Sequence, residues 1–384
     1  MTEKTPMRVL VFIHSLHGGG AERVAADLTA HWVAAGREVM LVTQADAQHD
    51  VYALDPRVQR QVLGTATQSG GGWRGICANI SRVYRLRRLI RTFRPDIVLG
   101  MMTTSSVLAV LAARGQGCAV VATEHTHPPS QTLSNMWQRL RRFAYPRADR
   151  VVALTRGTAD WLADHVPGSR LAVIPNPVHW PLHRGEPERE VPRETGKRYA
   201  LAVGRLHPDK GFDVLVQAFV QIAAAHAQWD LIILGDGTAE QRQTLAAQID
   251  AAGLGARIHL PGRAGNVGDW YAGAEFYVLS SRFEGLSNTL LEAMASGRPA
   301  VSFDCDTGPR EIVREGVDGV LVRPAGDARA LAQAMAAMMS DDALRGRLGA
   351  RATEVRERFS PEHVLGLWDE TFEAVTRDRG SCAE

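Results

Sequence analysis

Two glutamates in the stretch RFEGLSNTLLEAMASG, Glu284 and Glu292, stand eight residues apart across a loop leading into a helix expected to start near Ser287 or Asn288. That spacing places Glu292 in the second helical turn, where its carboxylate can accept from two ribose hydroxyls. Amides near Asn288 and Thr289 would then point at a phosphate, because a helix start offers unpaired N–H groups and the positive end of its dipole. Glu284 stays on the loop, followed by a glycine and facing a sugar. Leu290, Leu291 and Met294 mark the buried side of the helix, which weighs against two merely solvated acids. A second segment, VGRLHPDKG, follows a strand-like run and carries Arg205 and Lys210. Two cations at a strand's carboxyl end neutralise a diphosphate, Arg as a fork and Lys as a point charge. Without the glutamate segment, a pair of surface charges would read the same way.

Three further places could do chemistry. HSLHGGGAER puts Gly18, Gly19 and Gly20 before a helix beginning near Ala21, so that backbone amides approach a phosphate or sugar oxygen closely. The spacing is not GxGxxG, and a tight strand-to-helix turn needs the same glycines. His125 ends a strand-like run in ATEHTH, with hydrogen bonding among Glu124, Thr126 and His127 as the plainer alternative. Asp304-Cys305-Asp306 spells DxD, and Glu124, His125 and His127 could suggest a metal; neither is a complete ligand set, and Arg205 with Lys210 supplies the charge a metal would. Metal independence is the expectation.

The elements that must hold these residues come as apolar runs at 8–13, 38–43, 96–101, 119–123 and 150–154, alternating with amphipathic stretches. The runs lack period-two alternation, as parallel strands covered on both faces should. A second series runs through 199–204, 230–235, 258–260, 275–280, 299–303 and 319–322, and helical stretches over about 327–338, 341–357 and 361–376 close the chain. Both series predict α/β, doubly wound, Rossmann-like domains. The expected division is an N-terminal acceptor-binding domain over 1–180, a linker rich in Pro, Gly and charge over 181–197, a nucleotide-sugar domain over 198–358, and a last helix over 359–384 that could cross back to the first domain. Two such domains leave a cleft at the carboxyl ends of their strands, where ligands bind.

Bulk properties narrow the class. With 384 residues, 45% hydrophobic and 22% charged, the chain is too long for one core and too apolar for disorder. It has no run of about 18 apolar residues, and its N-terminus enters a strand-like run instead of a signal-peptide core, so a cytoplasmic location is expected. Cys77, Cys118, Cys305 and Cys382 lie far apart without CxxC spacing, suggesting neither zinc nor disulfides. Residues 1–180 hold 21 Lys+Arg against 12 Asp+Glu, a charge of +9, and the remainder hold 23 against 30, a charge of −7. The basic half should meet an anionic partner; nothing calls for nucleic acid.

These motifs resemble glycosyltransferase family 4, retaining enzymes of the GT-B fold, and the resemblance covers nearly the whole chain. HGGGAER, EHTH, IPNPV, VGRLHPDKG, LGDG, FEGLSNTLLEAMASG and DTGPREIV occur in the family's order. The resemblance implies that Arg205 and Lys210 hold the donor diphosphate, Glu292 the ribose, and Glu284 with the amides of Gly285 and Leu286 the transferred sugar. Asn288 and Thr289 belong to the same donor set. Gly19 and Gly20 would lie beneath the diphosphate and sugar, His125 near the anomeric carbon, and Gly235 and Arg263 beside the nucleoside and base. The family is usually read as attacking on the face from which the diphosphate leaves, with Glu284 orienting the sugar. No cofactor is implied, the nucleotide-sugar being a substrate.

The acceptor is expected on the N-terminal domain, as a glycan or a polyprenyl-diphosphate-linked sugar in bacterial surface-polysaccharide or oligosaccharide synthesis. Residues 82–94 (RVYRLRRLIRTFR) hold six arginines and no acid, with Val83, Leu86, Ile90 and Phe93 on one face. Arg82, Arg85 and Arg88 there, and Arg139 and Arg142 near Trp137 and Phe143, form a candidate face for acceptor or anionic membrane. A core-facing stripe with a solvated basic back is the alternative. The donor expected is a UDP-sugar, with GDP-mannose sharing the same grip. Rival readings are a UDP-sugar epimerase, which would not need a basic acceptor face, and a sugar-nucleotide-binding protein without catalysis, against which both glutamates and both cations stand intact. The glycine spacing disfavours a dehydrogenase.

Overall fold

The computed structural model describes residues 6–65, 73–191 and 197–380. They form two units, one running to Asn176 and resuming at Val364, the other from Pro177 to His363. The first holds seven parallel strands: β1 (Arg8–Ile13), β2 (Glu38–Thr43), β3 (Gln59–Val62), β4 (Ile97–Gly100), β5 (Ala119–Glu124), β6 (Arg150–Ala153) and β7 (Leu171–Val173). Their order is β3-β2-β1-β4-β5-β6-β7. The second holds six parallel strands: β8 (Arg198–Val203), β9 (Trp229–Leu234), β10 (Ile258–Gly262), β11 (Phe276–Leu279), β12 (Ala300–Phe303) and β13 (Gly319–Val322). Their order is β10-β9-β8-β11-β12-β13. Each order reverses once, beside β1 and β4 and beside β8 and β11. Such a reversal splays the neighbouring loops apart and opens a crevice at the strands' carboxyl ends.

The central strands are apolar throughout because helices cover both sheet faces. Val9, Leu10, Val11, Phe12 and Ile13 of β1 are all inaccessible to solvent, alternate residues feeding two separate apolar layers. In the second unit, Leu231 and Ile233 of β9 pack with Phe276 of β11 and Phe219 of helix Phe212–Ile222. Sequence patterning did not anticipate β3 and β7. β3 reads QRQV, exposed except at Arg60, which pairs with Asp50 at 2.9 Å, and β7 is only three residues long. Both are edge strands, paired on one side, so neither needs an apolar run.

The described part of the stretch expected as a linker is bonded into the second unit. Gly185 N donates to the Gly265 carbonyl at 3.0 Å, Gly265 N to the Pro187 carbonyl at 2.7 Å, and Arg189 N to Asn266 Oδ1 at 2.9 Å. The last helix, Pro361–Gly380, buries Val364, Trp368, Phe372 and Val375 in the first unit, Phe372 lying 4.8 Å from the Trp32 ring. Spacings of four, four and three keep these side chains on one helical face. Arg37–Asp369 at 2.8 Å and Arg379–Asp149 at 2.9 Å fasten its flanks. No described helix is long and apolar enough to cross a membrane.

Candidate active site

In the second unit, the loops after β8 and β11 leave the sheet at its reversal point and are laced together. Lys210 Nζ lies 2.7 Å from Glu284 Oε1, which also accepts from Ser281 Oγ at 2.6 Å. Ser280 Oγ donates to the Lys210 carbonyl at 2.8 Å, and Arg282 N to the Asp209 carbonyl at 2.8 Å. The Arg282 guanidinium takes both Asp213 oxygens, at 2.9 and 2.6 Å. Burial opposes ionisation of Asp213, but the paired Arg282 donors outweigh it and hold the carboxyl below its usual range. Gly211 makes the crossing possible: its φ is +63°, and a Cβ would stand 2.1 Å from the Ser280 carbonyl.

The loop after β12 supports Glu284 and Gly285 from the other side. Thr307 Oγ1 donates to the Glu284 carbonyl at 2.7 Å, and Gly308, at φ +94°, lies where a Cβ would be 2.2 Å from the Gly285 carbonyl. Asp304 anchors that loop through Arg310 and Arg323, at 2.8 and 2.5 Å, its own side chain having no solvent exposure. Its carboxylate is therefore engaged by two guanidinium groups.

Helix Asn288–Ala295 starts beside these loops, with Ser287 as N-cap. Leu290, Leu291 and Met294 are buried as their spacing predicts, and Glu292 is 8% exposed. Tyr271 Oη donates toward Glu292 Oε2 at 3.3 Å, and Tyr277 Oη to Thr289 Oγ1 at 2.8 Å. Burial pushes the Tyr277 phenol up, so it remains a neutral donor. Arg205 is exposed and its side chain makes no hydrogen bond or ion pair with the described residues. Gly235 follows β9 where a Cβ would overlap the Gly204 carbonyl at 1.8 Å, so it lets the strand end pass the base of the Arg205 loop. Arg263 is apart from this lacing: it follows β10 and donates to the Glu186 carbonyl at 3.2 Å. Sequence reasoning assigns no part to Ser281, Thr307, Gly308, Tyr271 or Tyr277; Thr307 and Gly308 lie in DTGPREIV, but their support of Glu284 depends on the β11–β12 pairing.

In the first unit, Gly18 follows β1 with φ +112° and Gly19 caps helix Gly20–Ala34 without a side chain. A Cβ on Gly19 would stand 2.1 Å from Glu22 Oε2. After β4, Met102 has φ +69°, unusual for a residue with a side chain, and its N–H meets Thr123 Oγ1 at 3.2 Å. His125 follows β5 with both ring nitrogens shut from solvent and without a hydrogen-bond partner among the described residues. Burial lowers its pKa to about 4, so the ring is neutral at neutral pH. It lines a cavity of about 310 Å³ with Met102, Thr103, Thr126 and Gln131. Glu124 does not share a site with His127. Its carboxylate takes Tyr145 Oη at 2.6 Å and Thr103 Oγ1 at 2.7 Å, while His127 Nδ1 meets Thr158 Oγ1 at 3.3 Å.

The basic face needs correction. In helix Trp73–Phe93, Leu86, Ile90 and Phe93 are buried, so the predicted apolar stripe belongs to the core. Arg82 is not on the surface: 7% exposed, it donates to the Thr65 carbonyl at 3.1 and 2.6 Å and to Asn79 Oδ1, its position putting it on the inward side of the helix. Arg85 reaches the Leu63 carbonyl at 2.8 Å, while Arg88, Arg139 and Arg142 are exposed. The outer face instead carries Ile80 and Tyr84, 63% and 68% exposed. Helix Asn135–Ala144 packs on the same neighbour, helix Thr103–Ala113, and exposes Met136 and Phe143.

Comparison with known proteins matches residues 18–179 to the model described as Glycosyltransferase Family 4 and residues 197–341 to that of Glycosyl transferases group 1. An exopolysaccharide phosphotransferase of Streptomyces coelicolor is 36% identical over 76% of the chain, but the chain spans only 30% of that relative's length. A Campylobacter jejuni transferase that adds N-acetylgalactosamine to a diphospho-undecaprenol-linked sugar is 25% identical over 87% of the chain and 91% of its own. Among solved structures, Anabaena HepE in complex with UDP superposes with a TM-score of 0.79 at 20% identity, covering 96% of the chain and all of HepE. That likeness establishes the GT-B fold.

Proposed function

The chain belongs to the family-4, group 1 glycosyltransferases, and on that premise we propose that it is a retaining hexosyl- or N-acetylhexosaminyltransferase using a UDP-sugar in bacterial surface-polysaccharide synthesis. The observation that carries the reading is the second unit's lacing at its reversal point: an uncommitted Arg205, the Lys210–Glu284 pair, and Glu292 behind a helix start. Arg205, Lys210 and the amides of Asn288 and Thr289 hold the diphosphate, and Glu292 takes the ribose. Glu284 and the amides of Gly285 and Leu286 orient the sugar. Gly235 and Arg263 lie toward the nucleoside. For Gly19, Gly20 and His125 the same reading keeps the roles that the family resemblance implies.

In the proposed step, the bond from the anomeric carbon to the leaving phosphate oxygen breaks and a bond to the acceptor hydroxyl oxygen forms on the same face. The acceptor's proton passes to the departing phosphate. Cations and helix amides stabilise the charge that develops there, as preorganised dipoles do without further reorganisation. They supply the charge a metal would, so no cofactor is needed. The UDP preference draws on the HepE complex, and the acceptor class, a polyprenyl-diphosphate-linked sugar, on the Campylobacter relative and the exposed arginines. Arg88, Arg139 and Arg142 with Ile80, Tyr84, Met136 and Phe143 then give the enzyme a peripheral hold on the inner face of the cell membrane.

The test is a transfer screen of UDP- and GDP-sugars against polyprenyl-diphosphate-linked and free glycan acceptors, with product anomers read by NMR. Retained configuration from a UDP-sugar, undiminished by EDTA, is expected. Transfer only from GDP-mannose, inversion, or activity abolished by EDTA and restored by magnesium would each remove the corresponding part, and donor epimerisation without acceptor would replace the reading.

A further inference from the structure

Beside His125 the first unit holds a small cavity whose lining is rich in hydroxyl and amide groups, and one wall is fixed by an ion pair that does not itself line it. We propose that this cavity is a subsite for the hydroxyls of the acceptor's terminal sugar, and that Glu124 and Arg141 are positioning residues that hold its wall. The proposal rests on the glycosyl-transfer reading for the words acceptor and sugar, and on the following geometry for the rest.

The cavity, about 310 Å³, is lined by Thr103, Thr126, Ser130, Gln131 and Met102 together with His125. It stands at the small end of ligand-sized pockets. His125 lines the cavity while both its ring nitrogens, shut from solvent, are without a hydrogen-bond partner among the described residues, so the ring is a polar group still lacking its partner. Behind the wall, Glu124 is 1% exposed and gathers Thr103 Oγ1 at 2.7 Å, Gln131 Nε2 at 3.2 Å and Tyr145 Oη at 2.6 Å. Gln131 Nε2 is also 3.1 Å from the Thr126 carbonyl, so one carboxylate organises three stretches of the lining.

Glu124 Oε2 accepts from Thr103 Oγ1 and from a Gln131 amide proton, and Thr103 Oγ1 also lies 3.1 Å from Gln131 Oε1, so a hydroxyl and an amide oxygen stand side by side on the wall, where a ligand's hydroxyl can donate. Burial pushes the Glu124 carboxyl pKa up, and Arg141 on the far side opposes that together with the Tyr145, Thr103 and Gln131 donors: Arg141 Nη1 lies 3.5 Å from Glu124 Oε1, and the residue, 4% exposed, has its guanidinium 5.1 Å from the Trp161 ring. Arg141 comes from helix Asn135–Ala144, which exposes Arg139 and Arg142. The pair thus ties the cavity to the helix best placed to meet the acceptor's charged part.

Glu124→Gln and Arg141→Met are to be made singly and together. Each single change leaves a buried group unmatched and should lower thermal stability; the double change removes both charges and should regain much of it. A purely structural pair would recover acceptor use along with stability. A positioning pair would not: the double variant should keep an acceptor KM raised about tenfold or more, with donor KM and acceptor-free donor hydrolysis within about twofold. Gln131→Leu, which leaves the pair intact, should raise acceptor KM in the same selective way. A double variant with wild-type acceptor KM overturns the proposal.

A second measurement needs no turnover. Glucose and N-acetylglucosamine are titrated into protein labelled at histidine nitrogen, with the His125 signals assigned from His125→Asn. A His125 response in the wild type that is lost in both Gln131→Leu and the double variant supports the subsite. No response to either sugar in the wild type, or an equal response in the variants, overturns it whether or not transfer is found. A His125 response in a protein that transfers nothing would sink the glycosyl-transfer reading and leave a sugar subsite standing.

Discussion

Lys210 and Glu284 meet each other at 2.7 Å, and this pairing sets what each residue can contribute. An amide in place of Glu284 keeps an oxygen for Lys210 and Ser281 but loses the charge that orients a sugar as positive character develops on it. Glu284→Gln should therefore lower kcat about a hundredfold with donor dissociation constant within about threefold, whereas Lys210→Ala should worsen both, since a diphosphate is charged in ground and transition states alike. Steady-state kinetics beside calorimetric donor binding separate the two, and an unaltered kcat in Glu284→Gln would refute its orienting part. His125 gives a second expectation at this scale. Burial depresses its folded pKa to about 4, below its unfolded value near 6.5, so its contribution to stability is complete above pH 6.5 and is lost as pH falls toward 4. NMR should find the ring neutral from pH 5 to 8, with an inflexion near 4; an inflexion near 6.5 would contradict the burial seen here.

At the scale of elements, Glu284 is held because three loops converge on it, and two of the contacts are glycines pressed against carbonyls. Gly308 has a positive φ and lacks room for a Cβ, while Gly316, at φ +71°, has no atom within 4 Å of that position. Gly316→Ala should cost about 1 kcal/mol for its positive φ, whereas Gly308→Ala, at φ +94° and ψ −74° and with Gly285 to displace, should cost about 2–4 kcal/mol. Thermal melts should rank the variants accordingly, and only Gly308→Ala should weaken donor binding. Equal melting and equal binding would show that the β12 loop does not brace the Glu284 segment.

At the scale of the molecule, residues 56–95 and 125–148 contain no acidic side chain, and both described helices there pack in the first unit against the same neighbour. The long-range field of such a surface favours anionic lipid, and the exposed Ile80, Tyr84, Met136 and Phe143 can enter the headgroup boundary. Vesicles containing phosphatidylglycerol should bind the protein at low salt and release it near about 0.5 M, where the screening length falls to a few ångströms. Arg88→Glu with Arg139→Glu should abolish binding, and Tyr84→Ser should weaken it at every salt concentration. No binding at low salt would end the membrane claim.

The sequence by itself determined the two doubly wound units, because buried parallel strands must be apolar along their length and such runs recur between amphipathic stretches in both halves of the chain. It also determined much of helix Asn288–Ala295: a start near Ser287 or Asn288, Glu292 in the second turn and Leu290, Leu291 and Met294 beneath are a matter of helical period, while the structure made Ser287 the cap. It did not determine β3 and β7, since edge strands can be polar or short, nor which side of helix Trp73–Phe93 its arginines take. Arg82 is drawn inward by the Thr65 carbonyl, a partner 17 residues away that no helical period reveals. Only the tertiary structure decided that Arg282 holds Asp213, that Thr307 and Gly308 brace Glu284, and that Glu124 answers Arg141. Those contacts join residues from different loops, and the order of strands in a sheet, not the order of residues in a chain, sets which loops are neighbours.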